Sequence, residues 1–354
     1  MNERKYSLDS LKFLCIFGVV FVHGTLIGQM EWGLTGKIIN TIARVCVPLF
    51  FITTGYFFYN KCTKQYSRKY TLNLIKTFIT WTGIYILYSV IIITMSNITN
   101  FKDLFYNIHN YFYQFHIRDI YYGTGIVKYH LWYLSAMILI IPILHFLISK
   151  SLLTKALILS FILNIIGILI PVLTNIPFWR VRDGVFYGLF YCILGAFIKK
   201  KESVLLNITE KISNFKYSVA IILLFCVMIC ERFMYIFLFS NSGNYFFSTI
   251  PLSVLIFIFF LKNNNILKNT ILNKLGKHTL GIYLIHPLII DTVVYIESAL
   301  NISWISSNVL WQLIYIPILI TLCYVFYEFF NNIKNRITIH KFIFSRTNLN
   351  SKIN

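Results

Sequence analysis

Charge is what this chain is short of. Only 12% of its 354 residues are charged, about half the share usual in a soluble domain. That scarcity, with 57% hydrophobic residues and a mean hydropathy of +0.70, excludes a soluble globular protein and indicates a polytopic membrane protein. Acidic residues are scarcer still: 12 Asp and Glu stand against 32 Lys and Arg, a formal net charge of +20. The cations do not gather on one face. They sit in short loops between apolar spans, so no nucleic-acid partner is expected and the lipid bilayer is the partner. The seven cysteines have neither metal-ligand spacing nor a disulfide framework. No phosphate-binding glycine loop, no HExxH and no GxSxG occurs. No span carries regularly repeated arginines, which excludes a voltage sensor.

What is present is a series of apolar stretches near the 20 residues that a spanning helix needs. Ten are read: 8–30, 38–59, 71–95, 129–149, 153–173, 183–199, 217–239, 246–261, 278–298 and 307–331. The first is too long for a signal-peptide core and lacks a small-residue cleavage site, so it is expected to be retained. One set of loops carries Arg4, Lys5, Lys61, Lys64, Arg68, Lys69, Lys150, Lys199 to Lys201, Lys211, Lys216, Lys262, Lys268 and Lys274. The other carries only Lys37, Lys102, Arg118, Lys128, Arg180 and Arg182. The richer set is cytoplasmic. The expected fold is therefore all-α, about ten transmembrane helices in one bundle, both termini cytoplasmic. Residues 1–331 form the membrane domain and 332–354 a basic cytoplasmic tail. The outer segment 96–128 is dense in aromatics, which suits an interfacial helix or a lip that packs on sugar rings.

The first span carries the most informative residues. It reads LDSLKFLCIFGVVFVHGTLIGQM and holds Asp9, Lys12 and His23. At about 100° per residue, the step from Lys12 to His23 is close to three turns, so both share a face, roughly 16 Å apart along the axis. Ionisable groups inside a membrane span are costly and face a bundle interior or a wet cavity. Arg44, on the next span, is expected at a depth similar to His23, about 10 Å in. A guanidinium there disfavours a second positive charge on the imidazole, leaving a neutral base, and can hold an oxyanion or a thioester carbonyl. His23 otherwise makes an ordinary helix–helix hydrogen bond. Asp9 and Lys12 are one turn apart and can pair. Lys12 is either a snorkelling lysine or a contact to the phosphates of a cytosolic donor such as coenzyme A.

Four further places have polar groups at the ends of spans or within them. His130 opens the fourth span beside Trp132 and Tyr133, as an interfacial residue or part of a site. Arg180, Arg182 and Asp183 either grip an anionic or polyhydroxyl acceptor or form a self-paired helix start. His286 precedes Pro287 in the ninth span and reads as a second acid/base or a lining residue; Pro287 should free backbone carbonyls there. Glu231 and Arg232 are adjacent, so each should pair with a different helix.

Taken together, these segments resemble the acyltransferase-3 family of bacterial membrane acyltransferases. Asp9, Lys12 and His23 match its first-helix acidic, basic and histidine positions, with lysine where the family usually has arginine. RVCVPLFFITTGYFF, from Arg44 to Phe58, matches its Pro–Phe–Phe–small–small–Gly pattern. HLWYL, from His130 to Leu134, is similar to HLWFL. Leu275 to Pro287 is similar to LGxxSxxIYLxHP.

The resemblance implies a membrane O-acyltransferase, by family default an O-acetyltransferase, in a bacterial plasma membrane. The donor would be cytosolic acetyl-CoA or another acyl-CoA, with no metal. The acceptor would be a hydroxyl of a surface glycan or lipid-linked sugar. His23 and Arg44 would be catalytic, with Asp9 and Lys12 at the donor. His130, Trp132, Arg180, Arg182 and His286 would contact substrate. Some members carry a soluble hydrolase-like domain. This chain is expected to act directly or with an unfused extracytoplasmic partner. The membrane part of certain amino-acid racemases also resembles the family, so a non-enzymatic transporter or exporter subunit for a glycan or amino acid is the alternative.

Overall fold

The computed structural model describes residues 4–25, 33–97, 101–174, 176–239, 244–302, 305 and 308–350; the side chains of 178, 309 and 333–350 are not described. Every regular element among these residues is helical. The elements are α1 Tyr6–Gly24, α2 Gly33–Ala43, α3 Cys46–Tyr59, α4 Lys64–Ser96, α5 Phe101–Tyr113, α6 Ile117–Tyr122, α7 Trp132–Ser149 and α8 Leu153–Leu173. They continue with α9 Leu189–Lys200, α10 Glu202–Glu210, α11 Asn214–Phe239, α12 Thr249–Lys262, α13 Ile271–Leu275, α14 Thr279–Ala299 and α15 Val309–Asn350.

Each of the ten expected spans contains a helix, and eight are long and apolar enough to cross a membrane. The shortest two differ. α12 has 14 residues. The 183–199 segment begins as a π-helical turn, Gly184–Gly188, capped by Asp183, and continues as α9, with 12 residues. The expected span 38–59 is two helices that meet at Arg44 and Val45. Pro48 has no N–H to give the carbonyl of Arg44 and so favours a helix start just before it. α15 runs on through most of the segment expected as a tail.

α1 sits inside the bundle, packed by α2, α3, α12, α13, α14 and α15. Most of its apolar side chains are buried or half-buried against these neighbours, while Leu14 and Phe17 stay exposed. α3 and α9 pack most closely. Gly55 of α3 lies on the carbonyl of Cys192, and Gly195 of α9 lies on the carbonyl of Ile52. Small residues at such crossings let two backbones approach. α5 buries none of its residues, in keeping with an amphipathic interfacial helix.

The loop residues sort by end. Lys5 and Lys199 both pair with Glu202, Lys268 lies over the Tyr6 ring, and Lys262 donates to the Ile212 carbonyl. These all belong to the loops expected from their charge to be cytoplasmic. At the other end Lys128 pairs with Asp291, and the Tyr121 hydroxyl donates to Asp183.

Candidate active site

A cavity of about 260 Å³ opens along α1 and is lined by both Lys12 and His23. Val19 and Val22 line it between them. One wall thus follows three turns of a single helix, as the eleven-residue spacing requires. The other walls come from α2, α3, α4, α7 and the turn before it, α14, the 176–188 segment and Tyr245.

Asp9 organises the Lys12 end. Its Oδ1 is 2.8 Å from Lys12 Nζ and its Oδ2 is 2.6 Å from Arg4 Nη2. One carboxylate therefore holds two cations at the start of α1. Asp9 is buried beneath them and does not itself line the cavity.

At the other end His23 lies against Tyr129, with ring centroids 4.8 Å apart, and against His286 at 5.8 Å. His130 is 5.4 Å from His286 and 5.2 Å from Tyr283 by the same measure. The three histidines come from α1, the turn before α7, and α14, so only the fold assembles them. His23 and His130 line the cavity; His286 stands behind its wall and is fully buried.

Arg44 lines the same cavity and is half-buried at the α2–α3 junction. Its Nε and Nη2 donate to Asn40 Oδ1 at 3.0 and 2.7 Å. Fully buried Arg232 on α11 donates to Thr41 Oγ1 at 3.1 Å, and its Nη1 is 3.5 Å from Asn40 Oδ1. Glu231 turns the other way and accepts from the backbone N–H groups of Phe247 and Ser248. Each of the adjacent pair thus serves a different partner.

The arginines near the start of α9 part company. Arg182 lines the cavity, 5.3 Å over the Trp132 ring. Arg180 is exposed and lies 5.2 Å over Trp179, away from the cavity. Asp183 caps its turn, accepting from Val185 and Phe186 N–H at 3.0 and 2.8 Å.

Reading the sequence alone passes over Asn40, Tyr129, Tyr187, Tyr245 and Tyr283, which also line the cavity. Asn40 was findable, being one helical turn before Arg44. The tyrosines were not, since interfacial aromatics look the same with or without a cavity behind them.

Residues 5–328 match the acyltransferase-3 family, described as "Acyltransferase domain". The chain belongs to that family. Its helices and its membership make it a multi-pass protein of a membrane acyltransferase family. It is also similar to an "Amino-acid racemase" of Enterococcus faecalis, 28% identical over 215 residues, which cover 56% of this chain and 28% of that protein. The match therefore spans little more than a quarter of the racemase's length. No solved structure matches the chain.

Proposed function

We propose that this acyltransferase moves an acyl group, acetyl by family default, from cytosolic acyl-CoA to a hydroxyl of an extracytoplasmic glycan. The observation that carries the reading is the single cavity lined by Lys12 at one end of α1 and His23 at the other. A cavity of about 260 Å³ suits a slender acyl-bearing arm, with the nucleotide left outside at Lys12. Lysine serves phosphates as a point charge.

In the transfer, His23 takes the proton of the acceptor hydroxyl, whose oxygen forms a C–O bond to the acyl carbon. The C–S bond breaks, its electrons stay on sulfur, and the proton ends on the thiolate. Arg44 steadies the charge that develops on the acyl oxygen. Arg182, His130 and Trp132, which line the same cavity, contact the acceptor in this reading.

The test uses membranes containing the full chain, acyl-labelled acetyl-CoA, and surface glycans scored for base-labile label. Label that depends on the chain and drops by about 10²–10⁴-fold in His23→Ala supports the enzyme. Wild-type labelling by a normally expressed His23→Ala chain overturns the role of His23. Glycan acylation that is unchanged by loss of the chain favours the transporter reading.

A further inference from the structure

Pro287 lies inside α14. Lacking an N–H, it leaves the carbonyl of Tyr283, four residues back, without its helical donor. His286 supplies one: its Nδ1 is 2.8 Å from the Tyr283 oxygen. A carbonyl only accepts, so Nδ1 carries the hydrogen, and Nε2 of the neutral ring is the bare acceptor.

That Nε2 is buried and has no hydrogen-bond partner among the described residues, on a side chain with 0% exposure. A buried acceptor left so is costly, and His130 beside it likewise shows no hydrogen-bond partner on either ring nitrogen among the described residues. Tyr283 anchors the arrangement twice, because its hydroxyl also donates to the His130 carbonyl. The His286 ring is inclined 29° to that of His23 at 5.8 Å.

We propose that His286 is a positioning residue of fixed tautomer, whose bare Nε2 stabilises the positive charge on the His23 ring, 5.8 Å away, when His23 lifts the proton of the acceptor hydroxyl. The inference rests on the reading of His23 as the base. The proton stays on His23 as the C–O bond forms. It passes from His23 to the sulfur once the C–S bond has broken, so no proton is gained or lost overall.

The test combines spectra and rates on the full chain in liposomes. In ¹⁵N-histidine-labelled protein, the signal that His286→Gln removes should be that of an Nδ1–H, bare-Nε2 ring. His286→Gln should lower kcat about 10²-fold with KM for acetyl-CoA unchanged. Pro287→Ala returns an N–H to Tyr283 and releases His286 Nδ1. It should split the signal between tautomers and lower kcat about tenfold, while thermal stability holds or rises. An Nε2–H ring in the wild type overturns the inference, as do wild-type rates in both variants. Should His286→Gln fail to fold, Pro287→Ala decides alone. A wild-type chain that transfers no acyl group overturns the proposed function itself, whereas a transferring chain with unaltered variants overturns only the role of His286.

Discussion

The side-chain oxygen of Asn40 accepts two N–H groups of Arg44, at 3.0 and 2.7 Å. It orients the guanidinium without cancelling its charge. Asn40→Asp keeps the shape and adds a carboxylate between Arg44 and Arg232. The pair should hold at least as firmly, while the field left for a developing oxyanion weakens. The expected outcome is an unchanged melting temperature or a higher one, with kcat lowered by at least about tenfold, below the 10²–10³-fold cost of losing such a donor outright. Arg44→Ala should show the full loss.

Lys12 stands at the proposed donor end of the cavity. Lys12→Ala should raise KM for acetyl-CoA by about 10–100-fold, the scale of a lost charge-assisted hydrogen bond, with kcat nearly unchanged. Lys12→Arg keeps a cation beside Asp9 and should stay close to wild type. Initial rates against donor concentration separate the cases. An unchanged KM in Lys12→Ala would remove the donor from this end of the cavity.

Arg180 and Arg182 are two residues apart and should behave differently. Arg182→Ala removes a cation from the cavity wall and should lower kcat/KM for the acceptor by roughly tenfold. Arg180→Ala removes an exposed cation stacked on Trp179 and should stay within about twofold. Acceptor titrations at saturating donor measure both; equal effects would mean that the acceptor reaches the site by another route.

Gly55→Ala drives a methyl group into the Cys192 carbonyl, which belongs to rigid helical backbone. It should destabilise the protein by about 1–3 kcal/mol, read as a lower melting temperature in detergent. Gly83→Ala, on α4, meets nothing within 4 Å and should be neutral or slightly stabilising. The contrast separates close helix packing from a general intolerance of change.

Much of this arrangement is legible in the sequence because helical spacing is rigid. Eleven residues on one helix fix the relation of Lys12 to His23, and both line one cavity. The helix-bearing segments are legible from apolar length. What spacing does not reach is anything built by two distant segments. His286 lies near His23 only because α14 packs on α1. Arg180 and Arg182 look equivalent on paper because the turn that separates them has no periodicity. The break at Arg44 hides inside an apolar run whose hydropathy continues across it. The short 183–199 and 246–261 segments look like spans by composition, yet their helices have 12 and 14 residues, since apolar length bounds a helix without fixing where it begins.

α1 is gripped by six neighbouring helices, and it carries both Lys12 and His23. To rock or slide, it would have to break all six interfaces at once. It is better pictured as a fixed spindle than as a moving gate. In the proposed transfer the cargo rather than the helix does the moving, along a wall where Val19 and Val22 stand between Lys12 and His23.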